Sequence, residues 1–148
     1  MPKYRKAVFA LPYAKTKDGI EYILLKRRLH WVGWEFTKGG IEDGETKEQT
    51  ARRELREETG RKAIKIKKFN FSGRYRYNKK FSTRPGMIGQ TFTLFAAEVK
   101  KGPVTISRKE HSRHKWVNFS TAMKMLKFAD QRKSLRIVNS WLMHGRKN

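Results

Sequence analysis

The chain has 148 residues, 37% of them hydrophobic, with 9 Phe, 4 Trp and no Cys; its 36 Lys and Arg against 13 Asp and Glu give a net charge of +23. This is enough apolar material for one buried core, which argues against disorder, and the lack of Cys excludes a disulfide scaffold or a thiolate metal site. No run of about 18 apolar residues occurs, so no membrane span is expected, and the default is a soluble cytoplasmic protein.

Tyr4–Tyr13 reads as a strand. Its apolar stretch Ala7–Tyr13 contains Pro12 and lacks a small-residue cleavage site, so it is not read as a signal peptide. Lys17-Asp18-Gly19 is a turn leading to a second strand, Tyr22–Arg28. Trp31–Phe36 is a short extended piece before Gly39-Gly40. Thr46 with Gln49 forms a capping box, and Gly60 stands where a helix ends, so the spacing predicts a helix over 47–59. Ala63–Phe71 and Arg74–Tyr77 are two strand-like pieces. Gln90–Val99 alternates as a strand does, and Lys115–Asn118 is a short strand. Ser120 is expected to cap a helix to about Phe128, and Asp130 a last helix carrying Leu135, Val138 and Leu142 at helical spacing. No repeat or linker interrupts the chain, so residues 1–148 are read as one domain. The expected fold is α/β (α+β), a mixed β-sheet sandwiched between helices.

The charge is unevenly placed. Eight acids (Glu35, Glu42, Asp43, Glu45, Glu48, Glu54, Glu57 and Glu58) lie within residues 35–58, whereas residues 59–97 hold ten basic residues and no acid. An acidic knot can hold a hard cation, and a basic body can attract a polyanion. A basic surface also simply aids solubility or reflects the host. Phe69, Phe71, Tyr75, Tyr77 and Phe81 interleave the basic stretch. That pattern suits base stacking, but it suits a half-buried strand better.

Glu54, Glu57 and Glu58 stand at i, i+3 and i+4, which gathers three carboxylates on one side of a helix. Beside a glycine-rich loop they can hold Mg²⁺ or Mn²⁺ through oxygen atoms. Ala51 and Leu55 are assigned to the opposite face, against the sheet. Arg53, four residues before Glu57, can grip a carboxylate by a fork of hydrogen bonds. A solvated helix of mixed charge is the alternative.

The segment Gly39–Arg61, GGIEDGETKEQTARRELREETGR, decides between them. It fits Gx5Ex7REUxEExG through Gly39, Glu45, Arg53, Glu54, Leu55, Glu57, Glu58 and Gly60, and so resembles the Nudix box. The residue after Gly60 is usually aliphatic in that family and is Arg61 here. The resemblance implies the Nudix fold and metal-dependent hydrolysis of a nucleoside polyphosphate. It implies Glu57 and Glu58 as principal metal ligands, with Glu54 a further ligand or the base that orients water. Arg53 and Glu45 would hold helix and loop together, and Gly39 would close the loop. Lys38 would offer its carbonyl to the metal and its ammonium to phosphate.

The flanks bear on the substrate. Glu110-His111-Ser112-Arg113-His114-Lys115-Trp116, followed by Met125-Leu126-Lys127-Phe128 and a last helix, resembles the asymmetric diadenosine tetraphosphate hydrolases. That likeness implies Glu110 as an extra carboxylate over the metal. It implies Tyr77 and His114 as base-stacking residues, and Lys79 and Lys80 as phosphate-reaching cations. His111 and His144 are left without a role. Thr37 departs from the proline usual there. The stretch Trp34–Ile41 also resembles the bacterial RNA 5′-pyrophosphohydrolases. The leading expectation is cleavage of diadenosine tetraphosphate to ATP and AMP by a monomer. The rivals are pyrophosphate removal from triphosphorylated RNA, which would use the +23 charge better, and a non-catalytic basic RNA-binding protein with a Nudix-like body.

Overall fold

The computed structural model describes residues 3–77, 81 and 84–144. Its elements are β1 (Lys3–Thr16), β2 (Gly19–Arg27), β3 (Gly33–Glu35), β4 (Thr37–Gly40), α1 (Lys47–Thr59), β5 (Lys65–Arg76), β6 (Met87–Glu98), β7 (His111–Val117), α2 (Phe119–Met125) and α3 (Ala129–His144). The sheet runs β3-β2-β1-β6-β5, with β4 also on β1 and β7 also on β2. β1 and β6 are parallel; the other pairs are antiparallel.

Helices cover both faces, which is why every residue from Ala7 to Ala14 is buried. Val8 and Ala10 meet Ala51 of α1, and Ile23 and Leu25 meet Leu55. On the other face Phe9, Leu11, Tyr22 and Leu24 pack with Leu126 and with Leu135, Val138 and Leu142 of α3. Phe9 stacks on Phe92 at a centroid distance of 4.1 Å. Burying a side chain such as Leu55 contributes about 1.5–3 kcal/mol, so these contacts fix how α1 sits on the sheet. The mixed α+β sandwich is the architecture read from the sequence.

Several boundaries differ from that reading. The two pieces expected at 63–71 and 74–77 are one strand, bent by a register shift between Lys68 and Ser72. Trp31–Phe36 becomes β3, and β4 follows it directly. β7 begins four residues before the expected Lys115, because its pairing with β2 supplies partners from His111 onward. Asn118, not Ser120, caps α2: its side chain accepts from the Thr121 N–H at 2.9 Å. α2 stops at Met125, and α3 starts at Ala129, which leaves Asp130 inside its first turn and not at its cap.

Candidate active site

α1 is fixed at both ends by local chemistry. Thr46 Oγ1 accepts from the Gln49 N–H at 3.1 Å, and Gln49 Oε1 accepts from the Thr46 N–H at 2.8 Å. Gly60 takes φ 71°, a left-handed turn that costs glycine little, and its N–H closes on the Arg56 carbonyl at 2.9 Å. Arg61 continues this work in place of an aliphatic residue. Its guanidinium donates to the carbonyls of Lys100 at 2.8 Å and Pro103 at 3.3 Å.

Arg53 joins the helix to the loop before it. It donates from Nε and Nη2 to the Glu45 carboxylate at 2.5 and 2.9 Å, and from Nη2 to the Gly40 carbonyl at 3.0 Å. Its Nη1 reaches Glu54 at 2.6 Å and Glu57 at 3.1 Å. The Arg53 hydrogen bonds hold the Glu45 carboxyl down to about 2. The stability from that pair is therefore present above the ordinary carboxylate range and is lost as pH falls toward 2. Arg53→Ala leaves several oxygens without their shared donor. We expect it to lower kcat/KM by about 10²-fold through misplaced carboxylates, as loss of supporting partners does at metal sites. Steady-state kinetics alongside circular dichroism checks this; unchanged kinetics in a folded variant would contradict it.

The three helix carboxylates stand in different surroundings. The Glu57 side chain is 57% exposed and tied to Arg53. Glu54 is largely covered, and burial pushes its carboxyl up to about 7 against the pull of Arg53. Glu58 is 1% exposed, and neither of its oxygens has a hydrogen-bond partner. Burial raises its carboxyl well above the usual range, and the charges of Glu54, Glu35 and Glu110 add to the effect. Glu58 thus shares the buried stripe of Ala51 and Leu55 at i, i+4 and i+7, where the sequence reading placed only the two apolar residues.

Glu110, at the end of the loop before β7, lies beside Glu58. One oxygen of each and a ring nitrogen of His111 fall within 4.8 Å of one another. A buried carboxylate without a donor is costly unless a cation meets it. The set around Glu58 fits a divalent ion, with Glu58, Glu110 and His111 in reach of one position. Gly39 matters sterically here, since a Cβ on it would lie 2.1 Å from Cδ of Glu54. Gly39→Ala must push Glu54 aside; we expect at least about a tenfold loss of turnover, given how sharply misplacement by about 1 Å is felt. A folded Gly39→Ala enzyme with parental turnover would show that the place of Glu54 is unimportant.

Three residues of the site were missed by sequence reasoning. Glu35 is wholly buried and accepts from Arg27 Nη1 at 3.2 Å; its other near partners are His111 Nε2 at 2.8 Å and Lys38 Nζ at 3.3 Å. Burial alone would raise its carboxyl, but Lys38, the His111 bond and Arg27 outweigh that and hold it at about 2. Arg27 also stands 3.9 Å from Glu110. The only local signal was an acid set between the apolar Trp34 and Phe36.

Lys38 and Arg27 connect this cluster to a cavity of about 460 Å³, whose aromatic lining includes Trp31, Tyr75, Tyr77 and Phe81. Lys38 Nζ lies 5.7 Å from the Trp31 ring and 5.9 Å from the Tyr75 ring. The Tyr77 hydroxyl donates to Gln90 at 3.0 Å and accepts from Arg84 at 3.0 Å, which holds the phenol in the wall. The size and lining suit a nucleoside with phosphates directed at the cations. His114 does not join Tyr77 there. It is exposed on β7, paired with Leu25, and is not among the described residues that line the cavity. Lys79 and Lys80 lie outside the described residues.

Residues 3–137 match the NUDIX domain. An RNA pyrophosphohydrolase of Pseudoalteromonas atlantica is 34% identical over 113 residues, which is 69% of this chain and 65% of the relative. One from Shewanella pealeana is 29% identical over 108 residues, 66% of this chain and 62% of the relative, so the chain spans less than two thirds of either. Among solved structures, a C. elegans Ap4A hydrolase binary complex superposes with a TM-score of 0.74 at 23% identity, covering 94% of this chain and 98% of that one. At that identity the likeness concerns the fold.

Proposed function

The chain belongs to the NUDIX family, and from that premise we propose that it is a divalent-cation-dependent hydrolase of a phosphoanhydride at the 5′ end of a nucleotide chain. Triphosphorylated RNA is the substrate we favour. One observation carries the reading: the Glu58 carboxylate is buried without a partner, beside Glu110, and Arg27, 3.9 Å from Glu110, also lines an aromatic, cationic cavity.

Glu54, Glu58 and Glu110 would hold Mg²⁺ or Mn²⁺, with Glu57 and the Lys38 carbonyl as further candidates. Such an ion, when bound, would supply positive charge for the phosphates and lower the pKa of a water. The chain does the rest. Lys38 and Arg27 face the phosphates with positive charge. Arg53 keeps Glu54 and Glu57 in place while the loop from Gly40 to Glu45 stays closed on the helix. Glu54, one oxygen of which accepts from Arg53, is the residue suited to take the proton from water at its other oxygen. Trp31, Tyr75 and Tyr77 supply ring faces for a base.

RNA is preferred over a dinucleoside tetraphosphate for two reasons. The relatives named above are RNA pyrophosphohydrolases, and a net charge of +23 exceeds what four phosphates require. Diadenosine tetraphosphate remains the second reading because of the Glu110–Trp116 segment, although His114 stands away from the cavity. The test is a comparison of kcat/KM on the two substrates with Mg²⁺, products identified, at low and physiological salt. We expect pyrophosphate and 5′-monophosphorylated RNA, a preference for RNA of at least about tenfold at low salt, and an RNA affinity that falls steeply as salt rises. ATP and AMP formed faster from the dinucleotide would reverse the assignment. No product from either would remove it.

A further inference from the structure

The aromatic and basic residues of β5 and the residue after it divide between two places. Tyr75 and Tyr77 line the cavity, whereas Lys67 and Phe69 face α3 across an open groove of about 1000 Å³. Lys133, Arg136, Trp141 and His144 form its other wall. Lys67 Nζ lies 5.4 Å from the Phe69 ring and 5.5 Å from the Trp141 ring, and the two rings meet edge to face at 5.5 Å. Lys133 Nζ lies 5.0 Å over Phe71. Among the described residues no carboxylate lines the groove, and Lys67, Lys133 and Arg136 form no ion pair.

The groove and the cavity share no lining residue, but they lie along the same stretch of chain. Each takes part of its lining from the β5 segment and α3: the cavity uses Tyr75–Tyr77 and the first turn of α3, and the groove uses Lys67, Phe69 and later residues of that helix. Lys133 over Phe71 stands between them. β5 is the outermost strand, so no further strand closes the groove on that side of the sheet. α3 has 16 residues, a length of about 24 Å. Cations spaced along such a path with ring faces between them are what a single strand needs: charge for the backbone and flat apolar surface for the bases.

We propose that the α3–β5 groove is a binding track for single-stranded RNA, taking the nucleotides that follow the 5′ end seated in the cavity. The proposal rests on the RNA reading above for its direction, but its binding can be measured without catalysis. The probe is a fluorescent 5′-hydroxyl RNA octamer, titrated by anisotropy into the full chain and into Lys67→Glu/Lys133→Glu/Arg136→Glu. The control, Lys62→Glu/Lys100→Glu/Lys124→Glu, changes the net charge equally elsewhere.

We expect the groove variant to lose at least about tenfold in octamer affinity. The slope of log K against log salt should fall by about two, at roughly 0.7 for each phosphate that is no longer neutralised. The control should stay within about threefold, since distant exposed charges are screened. The groove variant should also hydrolyse a triphosphorylated dinucleotide at the parental rate while losing its advantage on a triphosphorylated octamer. Equal weakening by both variants, or displacement of the octamer by polyglutamate of matched charge, would overturn the proposal, since charge alone would then explain binding. Octamer binding that depends on the groove in a protein inactive on every substrate would support the track and sink the hydrolase reading. Hydrolysis with groove-independent binding would do the reverse.

Discussion

Glu58→Gln is expected to lower kcat/KM by at least about 10³-fold with the metal present, and to leave the metal-free protein as stable as the parent or more so. The first effect follows from removing the one helix carboxylate that is fully buried and unpaired. A bound divalent ion contributes several kcal/mol of charge stabilisation, and each ~1.4 kcal/mol is a factor of ten in rate. The second effect has the opposite sign because Glu58 ionises at a cost. A neutral amide of the same shape relieves the repulsion from Glu54, Glu35 and Glu110. A gain of about 1 kcal/mol would appear as a Tm rise of about 3 °C in a domain of this size. Scanning calorimetry in chelator and kinetics in Mg²⁺ check the two halves separately. A destabilised, inactive variant would mean that Glu58 is structural; a fully active one would place the metal elsewhere.

Glu35→Ala is expected to give the largest loss of stability, about 3 kcal/mol. It leaves Arg27 and His111 buried, 3% and 0% exposed, without their shared carboxylate. Breaking a buried ion pair from one side typically costs about 3–5 kcal/mol, and the lower end applies because Arg27 keeps the Leu29 carbonyl at 2.7 Å. In a chain of this length that is a Tm drop of about 10 °C. Glu35→Gln, which preserves the acceptor oxygen, should lose about half as much, as expected when a hydrogen bond survives and the charge does not. The pH dependence carries a sign. Because the Glu35 carboxyl is held at about 2 in the fold, its contribution is present above the ordinary carboxylate range and lost as pH falls toward 2. The gap between parent and Glu35→Gln should therefore narrow over that interval. Urea unfolding at several pH values reads it, and a gap that widens on acidification would show that Glu35 is not ionised in the fold.

What the sequence made legible was local. The caps of α1 depend on Thr46, Gln49 and Gly60 alone, so its limits follow from spacing. The mixed sheet between helices follows from the alternation of strand and helix patterns. The orientation of Glu58 was also within reach, because Ala51, Leu55 and Glu58 fall on one stripe. The missed signal was a charged residue at a core position of the repeat. The Arg27–Glu35–His111 network was not legible, since Glu35 and His111 stand 76 residues apart and meet only when β7 pairs with β2. The side on which His114 falls was equally hidden. That side is set by the pairing of His114 with Leu25, a contact between strands far apart in the chain. Tyr77, next to the end of β5, does line the cavity.

The proposed reaction requires a divalent ion held by the carboxylates around Glu58. Its most direct test is Mn²⁺ binding followed by electron paramagnetic resonance, in the parent protein and in Glu58→Gln. The prediction is a stoichiometric site in the parent, weakened at least about 100-fold in the variant, since a lost ligand should cost no less than a lost supporting partner. Equal Mn²⁺ affinity in the two proteins would contradict the account.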